Sequence, residues 1–188
     1  MSALEGRAGV ALIVDVQNGV VDGVYRRDEV VANIVRLVDV ARSQRLPVIW
    51  VQHDDDNLLR GSHDWEYVPE LAALPAEPVV HKHYGDAFEG TALETILAAR
   101  SVGHVLVAGA ETDACIRSTL HGAFVRGYDV TLVADAHTAG DKIQWGAPPV
   151  EAVIAHTNRY WRFQRAQGKQ GAVLAASEAV DWLNTVSR

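Results

Sequence analysis

Short apolar runs alternate along this chain with longer amphipathic stretches, and that alternation restricts the architecture more than any other feature. Val10-Ala11-Leu12-Ile13-Val14 is a continuous, largely β-branched run, the pattern of a strand buried on both faces. Next, Val30, Ile34, Leu37, Val38 and Ala41 recur at three- and four-residue spacing, which predicts a helix with one apolar face. Pro47 stops that helix, and Val48-Ile49-Trp50-Val51 reads as a second strand. Pro78-Val79-Val80-His81 is a weaker third strand, after which Thr91 is expected to begin a helix through Leu93, Ile96 and Leu97. Val105 to Gly109 gives a fourth strand; Ile116, Leu120, Ala123 and Phe124 mark the next helix, with Gly127 placed to end it. Val130 to Val133 is the fifth strand, and Val150, Val153, Ile154, Thr157 and Trp161 form a helix after Pro148-Pro149. Ala172-Val173-Leu174 reads as a short sixth strand, with Ser177 expected to cap a last helix through Val180 and Leu183.

Strand–helix alternation of this kind builds a parallel sheet covered on both faces. The expectation is therefore an α/β fold, a three-layer α/β/α sandwich with a six-stranded parallel sheet in the common order 3-2-1-4-5-6. No linker, low-complexity stretch or internal repeat interrupts the pattern, so residues 1–188 read as a single domain. At 188 residues with 48% apolar and 22% charged residues, the chain can bury roughly 70% of its unfolded surface. A net charge of −7 argues against nucleic acid or an anionic membrane as partner, because both call for a positive surface. No apolar run approaches the ~20 residues of a membrane helix, and Met1 to Arg7 lacks the basic-then-apolar pattern of a signal peptide. One cysteine, Cys115, fits a reducing compartment. A cytoplasmic protein acting on a small molecule is expected.

In sheets of this type, ligands bind beyond the carboxyl ends of the strands, at the switch point of strand order. Asp15 directly follows the first strand, Lys82 the third, Glu111 to Cys115 the fourth, and Asp135-Ala136-His137 the fifth. The order 3-2-1-4-5-6 sets Asp15 and Cys115 opposite each other. A thiol at a strand-to-helix junction sees the positive end of the helix dipole, which favours the thiolate; a neighbouring ammonium favours it further. Cys115 is thus a candidate nucleophile and Asp15 a candidate proton carrier. The competing readings are a small buried apolar cysteine, a capping or solvated carboxylate, and a solvated lysine.

Taken in order, Asp15-Val16-Gln17, Lys82, Ala87 to Leu93, Gly109 to Ile116 and Val133 to Thr138 resemble the isochorismatase-like cysteine hydrolases. The similarity runs from about Ala11 to Thr157. The resemblance implies a triad of Asp15, Lys82 and Cys115, in which the thiol attacks a carbonyl carbon to form a thioester acyl-enzyme. Asp15 would shuttle the proton to the leaving amine and then activate water, while Lys82 orients Asp15 and stabilises negative charge. It also implies a cis peptide before Glu111 and an oxyanion hole made by the backbone N–H groups of Glu111 and Cys115. Gln17, His53, Tyr84, Phe88 and Trp145 are the candidate substrate contacts.

Nicotinamidases of this family carry an Asp-x-His plus His metal site after the second strand. Here that stretch reads Gln52-His53-Asp54-Asp55-Asp56, with His63 further on. His53 stands where the metal-binding Asp would be and Asp55 where a His would be. The departure argues against nicotinamidase activity, and no metal or cofactor is expected; a zinc site at His53 and His63 is the alternative. Having Cys115 favours an amide, carbamoyl or imide-type substrate. Hydrolysis of a vinyl ether, which needs an acid but no thiol, is the second reading, and a catalytically silent binding protein the third. His137 is read as a structural or supporting histidine, and His104, His121 and His156 as packing or surface residues. Relatives of this kind are commonly symmetric oligomers, so a homodimer or homotetramer is expected.

Overall fold

The structure is a computed structural model that describes residues 8–186. The N-terminal segment weighed above for a leader, Met1 to Arg7, lies outside the described residues.

Strand β1 (Ala8–Val14) runs through the centre of the molecule. Its side chains alternate between two cores, as a pleat requires. Ala11 and Ile13 enter the first apolar cluster, whereas Leu12 and Val14 enter the second. Each of these four is at most 1% exposed, so the continuous apolar run in the sequence reflects burial on both sides. A single turn, α1 (Asn18–Val21), and the long helix α2 (Arg27–Ser43) follow. The spaced apolar residues of α2, from Val30 to Ala41, all face the first cluster. Strand β2 (Val48–His53) repeats the division, with Val48 and Trp50 on one side and Ile49 and Val51 on the other. Strand β3 (Val79–Lys82) lies at the sheet edge.

Helix α3 (Leu93–Ala99) covers the second cluster through Leu93 and Leu97. It starts later than expected: Thr91 lies ahead of it, where its hydroxyl donates to Ala87 O at 2.6 Å and accepts from Leu93 N at 3.2 Å. After β4 (Val102–Ala110), a π-helical turn (Thr112–Ile116) leads into α4 (Arg117–Val125). Gly127, at φ 96°, ends α4 as expected. Then come β5 (Asp129–Thr138), a 3₁₀ turn (Ile143–Trp145) and α5 (Val150–Phe163). A small antiparallel hairpin, β6 (Arg165–Ala166) with β7 (Lys169–Gln170), precedes the last sheet strand β8 (Ala172–Leu174) and helix α6 (Ala176–Val186).

The sheet is fully parallel in the order β3-β2-β1-β4-β5-β8. Its sixth strand is the predicted Ala172–Leu174; only the unforeseen hairpin shifts the numbering. Helices α2 and α6 cover one face, and α3, α4 and α5 the other, which makes the three-layer α/β sandwich. Ser177 does not cap α6. The carboxylate of Asp135, from β5, accepts from Ala176 N at 2.7 Å, and Glu178 Oε2 accepts from Ala175 N at 2.7 Å. Together they satisfy backbone donors that the helix start leaves open.

One glycine is dictated by the sheet. Gly109 pairs with Val14 and has φ 128°, and a Cβ there would lie 1.9 Å from Val14 O. Beyond it the Ala110–Glu111 peptide is cis, where the resemblance places such a bond.

Candidate active site

The carboxyl ends of β1, β2 and β3 and the π-helical turn after β4 converge on one point. Asp15 leaves β1 in a left-handed conformation, φ 51°, with its N–H tied to Val51 O at 3.0 Å. His53 and Lys82 end β2 and β3 and pair in register. The π turn carries Cys115 beside them, held by Ala114 and Ile116 N–H groups that both donate to Glu111 O at 3.1 Å. The Lys82 ammonium sits at the centre: 2.7 Å from Asp15 Oδ2, 3.1 Å from Cys115 Sγ, 3.1 Å from Tyr84 O and 3.3 Å from His53 Nδ1. The sheet therefore brings together the three residues expected to act together. Asp15 and Lys82 are each 1% exposed, and Cys115 is half-buried.

The charge states follow from burial. Loss of water pushes the Asp15 carboxyl upward, opposed by Lys82, by a contact with Cys115 and by His53. Burial also works against the Lys82 ammonium, but Asp15 and Cys115 outweigh it and its pKa rises. Burial pushes the Cys115 thiol up to about 12; Asp15 adds to this and Lys82 opposes it. Cys115 lies in a π turn ahead of α4, where desolvation plus the adjacent carboxylate outweigh the nearby cation that the sequence pointed to as favouring the thiolate. Lys82 Nζ is only 2.7 Å from Asp15 Oδ2, but among the described residues neither Asp15 oxygen meets a donor at hydrogen-bonding angles. The ion pair with Lys82 holds the carboxylate, which keeps a lone pair to take a proton.

The candidate substrate contacts separate into two groups. His53, Glu111 and Trp145 line a cleft of about 500 Å³, with Val20, Val24 and Leu58 as its apolar wall. Trp145 is 75% exposed at its mouth. The loop bearing Trp145 is latched to the π turn. Lys142 Nζ reaches Asp113 Oδ1 at 2.7 Å and Glu111 Oε2 at 3.1 Å, and Gly140 N donates to Glu111 Oε1 at 2.8 Å.

The other three candidates, Gln17, Phe88 and Tyr84, are not among the residues that line this cleft. Gln17 is fully buried and its amide is bonded to backbone: Nε2 donates to His53 O and Trp65 O at 2.9 and 2.8 Å, while Oε1 accepts from His53 N at 2.8 Å. It holds β2 in place and has no donor left for a ligand. Phe88 belongs to the second core cluster, against Tyr128 at 5.8 Å and beneath the Arg126 guanidinium at 4.7 Å. Tyr84 turns an exposed ring to solvent and contributes its carbonyl.

Asp135, placed by its sequence position on the functional edge, is the cap of α6. His137 is structural. Asn158 Nδ2 donates to Ala134 O at 3.0 Å, so its Oδ1 faces His137 Nε2 at 3.1 Å, and Thr112 Oγ1 meets Nδ1 at 2.9 Å. That fixes a neutral ring with the proton on Nε2. His63 is exposed, and its carbonyl accepts from Asn18 Nδ2 at 2.9 Å. Among the described residues no group of three or more His, Cys, Asp or Glu is arranged to hold a metal ion.

Sequence reasoning missed Tyr67. Its buried hydroxyl has no hydrogen-bond partner among the described residues, and burial together with the Asp15 charge raises its pKa. The only local signal was an aromatic in a loop; the isolated bridge from Gln17 to Tyr67 that brings it in is a tertiary feature. A larger groove, about 630 Å³, lies between α4 and α5 and is lined by Arg117, His121 and Tyr160, but by none of the three central side chains.

Comparison with known proteins bears on the family and the fold. The isochorismatase domain profile matches residues 10–148. A ureidoacrylate amidohydrolase RutB from Methylobacterium radiotolerans is 29% identical over 181 residues, covering 73% of this chain and 70% of its own. The corresponding Caulobacter segnis protein is 37% identical over 84 residues, 44% of this chain. The chain spans 35% of the length of that relative. Among solved structures, an isochorismatase from Pseudomonas putida KT2440 superposes with TM-score 0.80 at 25% identity, covering 91% of this chain and 89% of the other. A cysteine hydrolase from Pseudomonas syringae pv. phaseolicola 1448A shares the fold, with TM-score 0.85 at 22% identity over 95% and 93% of the two chains. With the domain profile spanning most of its length, the chain belongs to the isochorismatase family.

Proposed function

We propose that the protein is a cysteine hydrolase that cleaves a C–N bond of a small amide or carbamoyl compound through a thioester. One observation carries the reading: a single buried ammonium, Lys82, touches both a carboxylate with open lone pairs and the only thiol of the chain. The similarity to ureidoacrylate amidohydrolases supports a ureido or carbamoyl substrate.

The chemistry follows from the charge states. Asp15 takes the thiol proton as Sγ bonds to the carbonyl carbon, and Lys82 balances the negative charge as it passes from carboxylate to sulfur. The backbone N–H groups of Glu111 and Cys115 are the proposed donors to the oxyanion. Asp15 returns the proton to the nitrogen as the C–N bond breaks. It then removes a proton from water, whose oxygen attacks the thioester; the carboxylic acid leaves and the sulfur regains its proton. A neutral resting thiol suits this cycle, because one proton moves between two anions around a fixed cation. No metal is required: both ring nitrogens of His53 are engaged, by Lys82 and by Asp55.

The test is release of ammonia or amine from a panel of small amides, ureas and carbamoyl acids, ureidoacrylate included. Cys115→Ala and Asp15→Asn are each expected to lose at least ~10³-fold in turnover while remaining folded. A chelator is expected to leave the rate unchanged. Turnover that survives Cys115→Ala but not Asp15→Asn would replace this reading with acid-catalysed ether hydrolysis, and silence across the panel would leave it without support.

A further inference from the structure

The Lys82 ammonium has three protons and four neighbours. Three of the four, His53 Nδ1, Tyr84 O and Cys115 Sγ, lie at hydrogen-bonding geometry, and Asp15 Oδ2 is the nearest but is off axis. Facing an ammonium, His53 Nδ1 must offer its lone pair, so the ring proton sits on Nε2. That nitrogen is 3.2 Å from Asp55 Oδ2. Asp55 is itself fixed, because its Oδ1 accepts from Asn57 N and Leu58 N, each at 2.8 Å. Those backbone donors, with His53, hold its carboxyl below the usual range. The result is a chain from the cleft wall inward: carboxylate, imidazole, ammonium, then the Asp15–Cys115 pair.

We propose that His53, its tautomer fixed by Asp55, is a positioning residue that keeps one of the three Lys82 protons out of the Asp15–Cys115 pair. Tyr84 O holds a second, so the pair shares a single N–H. This inference rests on the triad reading above and deepens it. With only one N–H to follow the negative charge, the ammonium does not stabilise carboxylate and thiolate together. The thiol therefore stays protonated until substrate arrives, and Asp15 remains basic enough to take its proton. The charged and titratable groups facing this point are Asp15 from β1, His53 from β2, Lys82 from β3 and Cys115 from the π turn, with Tyr67 close enough to feel the Asp15 charge.

The test uses the chain's one cysteine, whose iodoacetamide labelling at pH 8 is read by intact mass and needs no substrate. His53→Phe fills the imidazole space but offers no acceptor. The freed Lys82 proton then serves the anionic pair, and a drop of about one unit in the thiol pKa is expected. A tenfold rise in thiolate, offset by its lower nucleophilicity, gives labelling about threefold faster than wild type. His53→Asn places an amide oxygen near the Nδ1 position and is expected to label at the wild-type rate. A site merely opened by mutation predicts the reverse, since Asn is the smaller side chain. Equal rates in His53→Phe and wild type, or acceleration in His53→Asn alone or in both variants, would overturn the proposal. Because labelling is independent of turnover, these outcomes stand apart from the success or failure of the hydrolase panel.

Discussion

At the scale of single residues, burial decides what each titratable group does. Asp15, Lys82 and His137 are all about 1% exposed, yet they play different parts because their partners differ. Asp15 and Lys82 compensate one another, whereas His137 is hydrogen-bonded to neutral Thr112 and Asn158, and desolvation outweighs Asn158 and the Asp135 charge to lower its pKa from 6.5 to about 4. The folded protein then binds fewer protons than the unfolded chain between those values, so His137 adds stability that is complete above pH 6.5 and lost as pH falls toward 4. Taken over that window, the contribution is roughly 3 kcal/mol. Urea unfolding at pH 7 and pH 4 checks it: His137→Gln is expected to show a smaller loss between the two than wild type, and an identical loss would contradict the assignment.

The same contrast explains which site residues could be read in advance. Asp15 directly follows β1, Lys82 ends β3 and Cys115 lies in the turn after β4, positions visible in the order of apolar runs. Gln17 and Phe88 could not be told from ligand contacts, because a buried amide bonded to backbone and one facing a substrate have the same letter. Only the tertiary partners, His53 and Trp65 for Gln17 and Arg126 for Phe88, separate the two.

At the scale of elements, the central strands were legible because burial on both faces leaves continuous β-branched runs, and the two-layer division of Ala11 and Ile13 from Leu12 and Val14 is the pleat itself. The β6–β7 hairpin was not legible, since Arg165, Ala166, Lys169 and Gln170 carry no apolar alternation and Gly168, at φ 73°, is the one turn signal. The cap of α6 was misplaced for a different reason: Asp135 reaches Ala176 across 41 residues, which no local pattern records. Removing it by Asp135→Ala is expected to cost about 1 kcal/mol. That corresponds to a Tm fall of about 2–4 °C, with kcat unchanged; a large loss of kcat at unchanged Tm would return Asp135 to the active site. Gly109 is a stronger constraint. With a Cβ only 1.9 Å from Val14 O and φ 128°, Gly109→Ala must push β1 from β4 next to Asp15. A loss of roughly 4 kcal/mol or more is expected, seen as insoluble protein or a Tm lowered by about 10 °C; a normal Tm would show that the strands can part at no cost.

At the scale of the molecule, the parallel order β3-β2-β1-β4-β5-β8 is what assembles the proposed site. Adjacent strands β3, β2 and β1 deliver Lys82, His53 and Asp15 side by side, and β4, on the other flank of β1, delivers the turn that carries Cys115. No two of the triad residues are closer in sequence than 33 positions, so the site exists only in the folded sheet. The cleft wall is different in kind. Its loops, around Leu58 and Trp145, are fixed by latches such as Lys142 to Glu111 and Asp113.

In the proposed reaction Cys115 becomes covalently acylated during turnover. The most direct test is intact-mass analysis of protein quenched in acid during reaction with the fastest panel substrate. An added mass equal to the acyl portion of the substrate is expected, located on the peptide containing Cys115, removed by hydroxylamine and absent from Cys115→Ala. Steady turnover by a Cys115→Ala protein, or an acyl group found on any other residue, would contradict it.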